Sequence, residues 1–347
     1  MKVLHVLNTS TFSGAENVVC QIAKMFENDA NIEMAYTSPD GEIRNVLKEQ
    51  SISYFPMSKL SYYELKKVID KYSPDIIHGH DIRGAIYASC FANRAMIVHT
   101  IHGNDIRMRK LSFKSWLYYI SSRKACHIFW VSESCLKQYY YSKRIMNKSS
   151  VLYNVININE VKRKINEDKS TYNYDAIFLG RIAYPKNPQR LIRVARLVVR
   201  EIPDFKLVIV GSGDQLEEIK SLVREYGIQN NVDFKGFMSN PYKILCDSKV
   251  MIMTSDWEGT PMVALEAMAI GIPIVSTPTD GMNDVVKNGY NGFLSFDEKE
   301  LSQYISKIVT NDDLRNKLSK HQVIESNQMN DISQYKEKLM KVYLRME

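Results

Sequence analysis

Glu258 and Glu266, two carboxylates with seven residues between them, are the side chains of this sequence best placed to do chemistry. Residues 250–255 have the apolar pattern of a buried strand, and the helical pattern that contains Glu266 stops at Gly271. A strand that enters a helix through Gly-Thr-Pro directs free backbone N–H groups at whatever lies above the sheet, and such groups bind phosphate. Two acids beside a phosphate site suit a ligand with hydroxyls as well as phosphates. The pattern therefore predicts a nucleotide-sugar site.

Arg181 and Lys186 form a second candidate site, five residues apart, between a predicted strand at 176–180 and a helix that begins near Pro188. A guanidinium binds phosphate oxygens as a planar fork, and an ammonium binds them as a point charge. Solvated surface cations are the alternative interpretation. Because the pair follows the carboxyl end of a strand, we predict that it holds a diphosphate from two sides.

Two glycine-containing turns give weaker signals. The first predicted strand–helix turn, residues 8–16, has small residues around Gly14 that allow close backbone approach, but it lacks the G-x-G-x-x-G fingerprint of dinucleotide sites. Gly211 and Gly213 follow the strand 206–210 and are expected to keep side chains away from a ligand. Structural turn glycines, with Asp214 as the cap of the next helix, are an equally good explanation.

His102 ends the predicted strand 97–102 and is expected to point at the ligand, where it can hydrogen-bond a sugar hydroxyl or a developing charge. His78, His80 and His99 are close in sequence, which raises the question of a metal. Their spacing fits different faces of two strands, and no carboxylate cluster completes a site. No metal is expected.

Strand and helix patterns alternate along both halves of the chain. Near-continuous apolar strands of this kind predict α/β domains with parallel sheets covered by helices on both faces. The strands are predicted at 3–7, 32–37, 53–57, 75–80, 97–102, 127–132 and 151–154, then at 176–180, 206–210, 232–236, 250–254, 272–277 and 292–296. The helices include 16–27, 64–72, 188–201, 299–310, 313–324 and 332–346.

The length of 347 residues allows two domains, and a charged, weakly patterned stretch at 159–171 is typical of a connection between them. We predict two doubly wound Rossmann-like domains at 1–165 and 166–330 that face each other across a ligand cleft. The first would take the acceptor and the second the nucleotide sugar. Residues 331–347 are predicted to form a helix that packs back on the first domain.

Composition favours a cytoplasmic protein. No apolar run approaches the roughly 20 residues that a membrane span needs, and the first residues enter a strand without a signal peptide. The five cysteines form no C-x-x-C pair, so they are expected to be reduced and structural.

A basic region at 107–148 contains ten Lys or Arg residues and one acid, Glu133, and aromatic residues are interleaved with them. A solvated basic face over buried rings is one interpretation. The other is a surface for anionic lipid or an anionic lipid-linked acceptor, which would make the protein peripheral on the inner face of the plasma membrane. Nucleic acid is not expected as a partner, because no binding motif accompanies the charge.

Together these residues resemble the retaining glycosyltransferases of the GT-B fold, specifically the large group numbered family 4. The resemblance covers most of the chain and is most specific in its second half. It rests on Gly180-Arg181 with Lys186, on Val208-Ile-Val-Gly-Ser-Gly, and above all on Glu258 to Glu266 running into Ala267-Met-Ala-Ile-Gly-Ile-Pro-Ile-Val. Shorter matches occur at the Gly14-Ala-Glu turn, Thr100-Ile-His-Gly and Val131-Ser-Glu.

The resemblance implies a role for each matching residue. Arg181 and Lys186 would stabilise the departing diphosphate, Glu266 would bind the ribose hydroxyls, and Glu258 would contact the donor sugar. His102 would touch the sugar and stabilise positive character at the anomeric carbon. The remaining donor contacts would come from Gly14, Gly180, Gly211, Gly236, Phe237, Gly259, Thr260, Met262 and Val263.

The implied reaction moves a sugar from a nucleotide donor, most often UDP-linked, to a saccharide or undecaprenyl-linked acceptor. Anomeric configuration would be retained without metal or cofactor, and the leaving phosphate would itself accept the acceptor's proton. Fixed cations and helix N-termini would lower the barrier to departure of the nucleoside diphosphate. Synthesis of bacterial capsule, exopolysaccharide or O-antigen is the expected setting.

Three rival functions stay open. A nucleotide-sugar epimerase of the same fold would need acid and base groups at the sugar and no acceptor surface. A nicotinamide-dependent oxidoreductase is disfavoured by the missing glycine fingerprint. A non-catalytic nucleotide-sugar-binding protein would not need all four of Glu258, Glu266, Arg181 and Lys186.

The sequence departs from the family pattern at three places. Ser13-Gly14 stands where two glycines are common, Pro261 follows Gly259-Thr260 where Gly-Phe-Gly is frequent, and Asp284 replaces a usual Glu. Pro261 also removes one N–H donor. The first two departures lie where the donor sugar is expected, so they leave its identity open.

Overall fold

The computed structural model describes residues 1–103 and 106–345, and the chain forms two compact units. The first comprises Met1–Val155 and Ile332–Glu347, and the second Ile156–Asp331. Both are α/β units built on parallel sheets, as predicted.

In the described part of the first unit, seven parallel strands form a sheet in the order β3-β2-β1-β4-β5-β6-β7. Val3 of β1 pairs with Met34 on one side and with Ile76 on the other. The strand order therefore reverses between β1 and β4, and the connections that follow these two strands leave in opposite directions. The strands are β1 (Lys2–Val6), β2 (Glu33–Pro39), β3 (Ser53–Met57), β4 (Ile76–His80), β5 (Met96–Ile101), β6 (His127–Trp130) and β7 (Ser149–Val151).

Helices connect these strands. The first of them, α1, buries an apolar stripe that includes Val18, Val19 and Ile22. Ser61 and Ser112 cap α3 and α5 by accepting backbone N–H groups. The helices are α1 (Gly14–Met25), α2 (Ile43–Glu49), α3 (Tyr62–Tyr72), α4 (Asp81–Ser89), α5 (Phe113–Ser122), α6 (Glu133–Gln138) and α7 (Ser142–Ile145).

The second unit repeats the plan with six parallel strands among its described residues, in the order β10-β9-β8-β11-β12-β13. Here the order reverses between β8 and β11, where Ala176 pairs with Val250. The strands are β8 (Tyr174–Leu179), β9 (Leu207–Val210), β10 (Val232–Gly236), β11 (Ser248–Met253), β12 (Ile274–Ser276) and β13 (Gly292–Leu294). The helices are α8 (Ile158–Glu167), α9 (Pro188–Glu201), α10 (Leu216–Glu225), α11 (Tyr242–Cys246), α12 (Met262–Ala269), α13 (Asp280–Val285), α14 (Glu298–Thr310) and α15 (Asp312–Met329).

The stretch predicted as a charged connection at 159–171 is largely helical instead. Asn157 caps α8 by accepting the Glu160 N–H at 3.1 Å, and Val161 is the residue that α8 buries. Since α8 packs on α11 and α12, the division between the units falls at 155/156 and not at the predicted 165/166. A single buried apolar residue in a charged helix gave too weak a period for the sequence to show it.

The last helix, α16 (Ile332–Tyr343), belongs to the first unit. Its Tyr343 hydroxyl hydrogen-bonds Nδ1 of the buried His78 at 2.7 Å, and Lys336 lies 3.5 Å from Asp29. Met346, where the predicted helix ended, lies outside the described residues, as does Glu347. A search of the described helices finds none with the length and apolar character that crossing a membrane requires.

Candidate active site

The strand reversal of the second unit brings the main predicted site residues together. Gly180, Arg181 and Lys186 follow β8, and Glu258 follows the adjacent β11. Because the connections after β8 and β11 diverge, the carboxyl ends of these strands leave the opening at which ligands bind in sheets of this kind.

Lys186 and Glu258 are in direct contact. The Lys186 Nζ lies 2.5 Å from Oε1 of Glu258, and the same oxygen accepts the Ser255 hydroxyl at 2.5 Å. The two side chains are only 18% and 11% exposed, so each charge is largely removed from water and depends on the other. The cation predicted for the diphosphate and the acid predicted for the sugar therefore form a fixed ion pair.

Further hydrogen bonds join the two loops that carry this pair. The Thr254 hydroxyl donates to the carbonyls of Lys186 and Asn187, both at 3.1 Å. The Asp256 N–H donates to the Pro185 carbonyl at 2.8 Å, and Arg190 donates to the Thr254 carbonyl at 3.1 Å. The loops after β8 and β11 thus hold Lys186 and Glu258 from both sides.

Arg181 differs from Lys186 in its surroundings. It is exposed, and none of the residues that the structure describes forms an ion pair with its guanidinium. Arg181 is therefore placed at the same strand end as Lys186 with its charge available to an anion.

The helix start predicted to bind phosphate is present, with an altered first turn. Pro261 is the N-cap of α12, so the first helical N–H groups are those of Met262 and Val263. Met262 and Thr260 have buried side chains and can offer a ligand mainly backbone. A Cβ on Gly281 would lie 1.3 Å from the Gly259 carbonyl oxygen, so only glycine allows α13 to approach this loop so closely.

Glu266 lies on α12 and is 5% exposed. Its Oε1 accepts the hydroxyl of Tyr242 at 3.0 Å. Burial raises the pKa of Glu266 to about 6, and the Tyr242 hydrogen bond and the positive charge of Lys164 oppose this rise. The carboxylate is thus held as a hydrogen-bond acceptor whose ionised form is costly.

Gly180, Gly211 and Gly236 lie side by side at the ends of β8, β9 and β10. The Gly211 N–H donates to the Gly236 carbonyl at 2.7 Å. A Cβ on Gly211 would lie 1.9 Å from the Gly180 carbonyl oxygen, and one on Gly213 would lie 2.1 Å from that of Ile182. Gly211 and Gly213 are therefore needed where neighbouring turns meet, which supports the alternative that they are structural turn glycines. The expectation that they keep side chains away from a ligand stays a prediction.

Two further predictions concern turns of the second unit. Asp214 does not cap the next helix, because α10 begins after Gln215 and has no side-chain cap. Gly236 has a φ of +67°, which favours glycine, and a Cβ there would meet nothing within 4 Å. Phe237 follows it with 68% exposure, so this ring is accessible to a planar group such as a base.

In the first unit, the turn after β1 is organised by a buried carboxylate. Glu16 is 3% exposed and accepts hydrogen bonds from the hydroxyls of Thr9 and Ser13, the latter at 2.5 Å. A Cβ on Gly14 would meet none of the described residues within 4 Å, so that part of the chain leaves open space beside the first turn of α1. The burial of Glu16 was not predicted from the sequence, in which it appeared only as part of the Gly14-Ala-Glu turn.

His102 follows the end of β5, as predicted. Its backbone N–H donates to Asp81 at 3.1 Å, and its Nε2 lies 3.0 Å from Nδ1 of His80. Burial lowers the pKa of His102 to about 4, against the opposing effect of the negative charge on Glu16. Near neutral pH, His102 is therefore a neutral hydrogen-bonding group and not a cation.

His5, His78 and His80 place one ring nitrogen each within 4.8 Å of one another, which is a spacing that could hold a metal. Hydrogen bonds occupy most of these nitrogens, since His78 contacts Tyr343 and Thr100, both at 2.7 Å, and His80 contacts two other histidines. A metal would have to replace these bonds. The expectation that no metal is needed stays a prediction.

Several residues of the site escaped the sequence analysis. Tyr242 and Ser255 hold Glu266 and Glu258, and Gly281 admits α13. Of these residues, Ser255 is the one whose partner is near in sequence, because it lies three residues before Glu258. The roles of Tyr242 and Gly281 depend on contacts between distant parts of the chain.

The aromatic residues of the basic region at 107–148 fit neither of the two predicted interpretations completely. Tyr118 and Tyr139 are buried, and the Tyr139 hydroxyl donates to the Ser115 carbonyl at 2.8 Å. Phe113 and Trp116, by contrast, are 76% and 46% exposed. The region is therefore neither a purely solvated basic face nor a face with all its rings buried.

Comparison with known proteins gives matches along most of the chain. The family models described as "Glycosyltransferase Family 4" and "Glycosyl transferases group 1" match residues 12–160 and 158–322. The UDP-Gal:alpha-D-GlcNAc-diphosphoundecaprenol alpha-1,3-galactosyltransferase of Escherichia coli is 26% identical, over 92% of this chain and 91% of its own. The lipopolysaccharide 1,6-galactosyltransferase of Salmonella typhimurium is 26% identical over 82% of each chain. Among solved structures, Anabaena HepE in complex with UDP-glucose has a TM-score of 0.86 and 18% identity over 100% of both chains.

The environment of Glu266 makes a prediction about stability and pH. Its pKa rises from 4.5 to about 6 on folding, which corresponds to roughly 2 kcal/mol. A raised carboxyl pKa means that the folded state favours the protonated form, so stability is lost as pH rises from below 4.5 to above 6. Glu266→Gln, which cannot ionise, should gain about 1–2 kcal/mol relative to the wild type between pH 4.5 and pH 7.5.

Urea unfolding at a series of pH values measures this difference. Glu225→Gln, at an exposed glutamate of α10, is the matched control and should show no comparable change. A stability difference for Glu266→Gln that does not vary with pH would contradict the assigned environment.

Proposed function

The chain belongs to the family 4 glycosyltransferases of the GT-B type, and from that premise we propose a retaining transfer of a sugar from a UDP-linked donor to a saccharide or lipid-linked saccharide acceptor. One observation carries the proposal. At the strand reversal of the second unit, the ion pair of Lys186 with Glu258 lies beside an exposed Arg181 and the start of α12. Cations, an acid and helix N–H groups at one strand end match a ligand that has phosphates and hydroxyls.

We assign the diphosphate to Arg181 and Lys186, with the backbone N–H groups of Gly259, Thr260, Met262 and Val263 around its distal phosphate. Glu258 contacts the donor sugar, and the buried Glu266 accepts hydrogen bonds from the ribose hydroxyls. The segment Gly236-Phe237 flanks the base. Gly14 leaves room for the phosphates, and His102 hydrogen-bonds the sugar as a neutral imidazole.

The demanding step is departure of the nucleoside diphosphate, because negative charge grows on its bridging oxygen. Lys186 and Arg181 stabilise that charge, and Lys186 needs little reorganisation because Glu258 and two joined loops already hold it in place. When the diphosphate binds, it shares the ammonium with Glu258. The leaving phosphate accepts the acceptor's proton, so no separate base and no metal enter the step.

The donor and the setting are supported by what the similar proteins are named for. HepE was solved with UDP-glucose, and the Escherichia coli relative is named for UDP-Gal and an undecaprenol-diphosphate acceptor. A UDP-sugar donor and a polyprenol-linked or saccharide acceptor suit the present chain. Assembly of a capsule, exopolysaccharide or O-antigen at the cytoplasmic face of the membrane is the proposed setting.

Incubation with UDP-sugars and candidate acceptors, followed by NMR of the product, tests the reaction. An α-linked donor should give an α-linked product, and transfer should continue in the presence of EDTA. An inverted product would refute retention, and loss of activity in EDTA would refute metal independence. An epimerase would change the sugar of a UDP-sugar supplied alone, and a binding protein would bind the donor without turnover.

Substitution of the two cations tests the diphosphate assignment. Arg181→Ala and Lys186→Ala should each lower the transfer rate by roughly 100- to 1000-fold, because each removes a charge that stabilises the departing diphosphate. Arg181 is exposed and unpaired among the described residues, so Arg181→Ala should leave the melting temperature unchanged. Lys186→Ala should lower it as well, since Glu258 loses its partner.

Arg200→Ala is the matched control, at an exposed arginine at the far end of α9. It should transfer sugar at the wild-type rate. Wild-type turnover by Arg181→Ala would contradict the assignment without any ambiguity about folding.

We also propose that the basic region meets an anionic lipid surface. Helix α5 buries Tyr118 together with Ser115, Ser121 and Ser122, and it exposes a second set of apolar side chains, those of Phe113, Trp116 and Ile120. The three exposed residues follow spacings of three and four, so they share one side of the helix. Exposed Lys110, Arg123 and Lys124 flank this side. An apolar row bordered by cations suits the headgroup region of an anionic bilayer.

Vesicle sedimentation tests this surface. The protein should bind phosphatidylglycerol vesicles at low salt and be released at high salt, because the attraction of exposed charges is screened. The double variant Phe113→Ser/Trp116→Ser should bind at least about tenfold more weakly, since it removes two side chains that would enter the interface. Tyr63→Ser, at another highly exposed ring of the first unit, should bind like the wild type. Equal binding to phosphatidylcholine vesicles would contradict the proposal.

A further inference from the structure

Three histidines of the first unit form a continuous hydrogen-bonded row. Nδ1 of His5 lies 2.9 Å from Nε2 of His80, and Nδ1 of His80 lies 3.0 Å from Nε2 of His102. The residues belong to β1, to the end of β4 and to the position just after β5, and these three strands are neighbours in the sheet. The row therefore runs from inside the sheet to its carboxyl edge.

The number of protons in this row is fixed by its chemistry. Burial lowers the pKa of His5 to about 3 and that of His102 to about 4, and lowers the pKa of His80 well below its usual value. All three rings are thus neutral near pH 7, and each carries one N–H. Each of the two contacts needs one proton, so only two arrangements satisfy both. Either every ring carries its proton on Nδ1, or every ring carries it on Nε2.

The two arrangements differ at the ends of the row. Nε2 of His5 and Nδ1 of His102 have no hydrogen-bond partner among the described residues. Both of these nitrogens are themselves buried, but the His5 residue is 1% exposed, whereas His102 as a residue is half-buried at the sheet edge. Either order therefore leaves one buried N–H without a partner among the described residues, which is costly. Protons on Nδ1 throughout place that N–H on His102, at the edge where a bound ligand can supply an acceptor, and not on His5 inside the sheet.

Glu16 favours the same arrangement. Its negative charge acts on His102 and favours a positive end of the row there. With Nδ1 protonated throughout, the row ends in an N–H at His102 and in a lone pair at His5. The charge of Glu16 and the burial of His5 thus select the same proton order.

We propose that His5 and His80 are positioning residues that hold His102 as an Nδ1–H donor. An unconstrained neutral histidine prefers the proton on Nε2, so the row reverses the ordinary preference. His102 then offers a hydrogen bond to an oxygen acceptor, and the proposed function supplies that acceptor as a sugar hydroxyl oxygen. Only this last assignment rests on the proposed function.

NMR of the ligand-free protein with ring-labelled ¹⁵N histidine tests the proton order directly. The signals of His102 are identified by their loss in His102→Phe. Nδ1 of His102 should show the shift of a protonated ring nitrogen, and Nε2 that of an unprotonated one. The opposite pattern in the wild type overturns the proposal, and this measurement needs no variant of the row to fold.

The His5→Phe variant tests whether His5 determines the proton positions in the row. It keeps the contact of His80 with His102 but frees the proton of His80, so the fraction of His102 protonated on Nε2 should rise. The kcat for transfer should fall by roughly 10- to 100-fold with little change in KM, by analogy with the loss of the hydrogen-bond partner that orients a metal-bound histidine. An unchanged His102 spectrum in folded His5→Phe contradicts the proposal.

His99→Phe is the matched control, because His99 is a fully buried histidine of β5 that bonds Ser89 and lies outside the row. It should leave the His102 spectrum and kcat unchanged, whatever it does to the melting temperature. The proposal about the histidine row and the proposed sugar transfer can fail independently of each other. An Nδ1–H signal without any sugar transfer supports the row and refutes the function, and transfer by a protein with His102 protonated on Nε2 does the reverse.

Discussion

The reversal of strand order in each parallel sheet is the constraint on which the rest of the structure depends. At β8 and β11 the diverging connections leave backbone groups and side chains of two distant segments at one edge, which is how Lys186 meets Glu258. At β1 and β4 the same arrangement, with β5 beside it, brings the turn around Glu16 and the histidines to the edge of the first sheet. The chemistry of both units follows from where parallel strands end, and not from the identity of any single loop.

The cost of burying charged groups determines which side chains these sheet edges can hold. A largely buried ammonium is tolerated only beside a carboxylate, and a carboxylate left without its partner would carry an uncompensated charge. The loops after β8 and β11 are therefore tied by Thr254, Asp256 and Arg190 as well as by the ion pair itself. This makes the site rigid in advance of any ligand. No described cation is in direct contact with Glu266, and its raised pKa is the cost of holding an acid in that position.

Much of this plan could be predicted from the sequence, because apolar strands, helix starts and the spacing of Glu258 and Glu266 are local signals. The strands of both sheets were found to within a few residues, and Arg181, Lys186 and Glu258 were found at adjacent strand ends. Features were missed or left open where the contact that determines the structure joins residues far apart in the sequence. Gly211 is required by the carbonyl of Gly180, and α8 is a helix because one face packs on α11 and α12. Neither contact produces a recognisable pattern in the nearby sequence.

Both units hold ionisable side chains away from water at a sheet edge, and they avoid an unpaired buried charge in different ways. The second unit keeps its charges and balances them, through Lys186 with Glu258, so that an anion can compete for a cation already in place. The first unit removes charge from its histidines by burial and links them by hydrogen bonds instead. A row of neutral rings determines which nitrogen of the last ring carries the proton without adding net charge, because the proton position on each ring determines that on the next. Such a row can control which atom of His102 donates, and because its rings are neutral it adds no further charge beside Glu16.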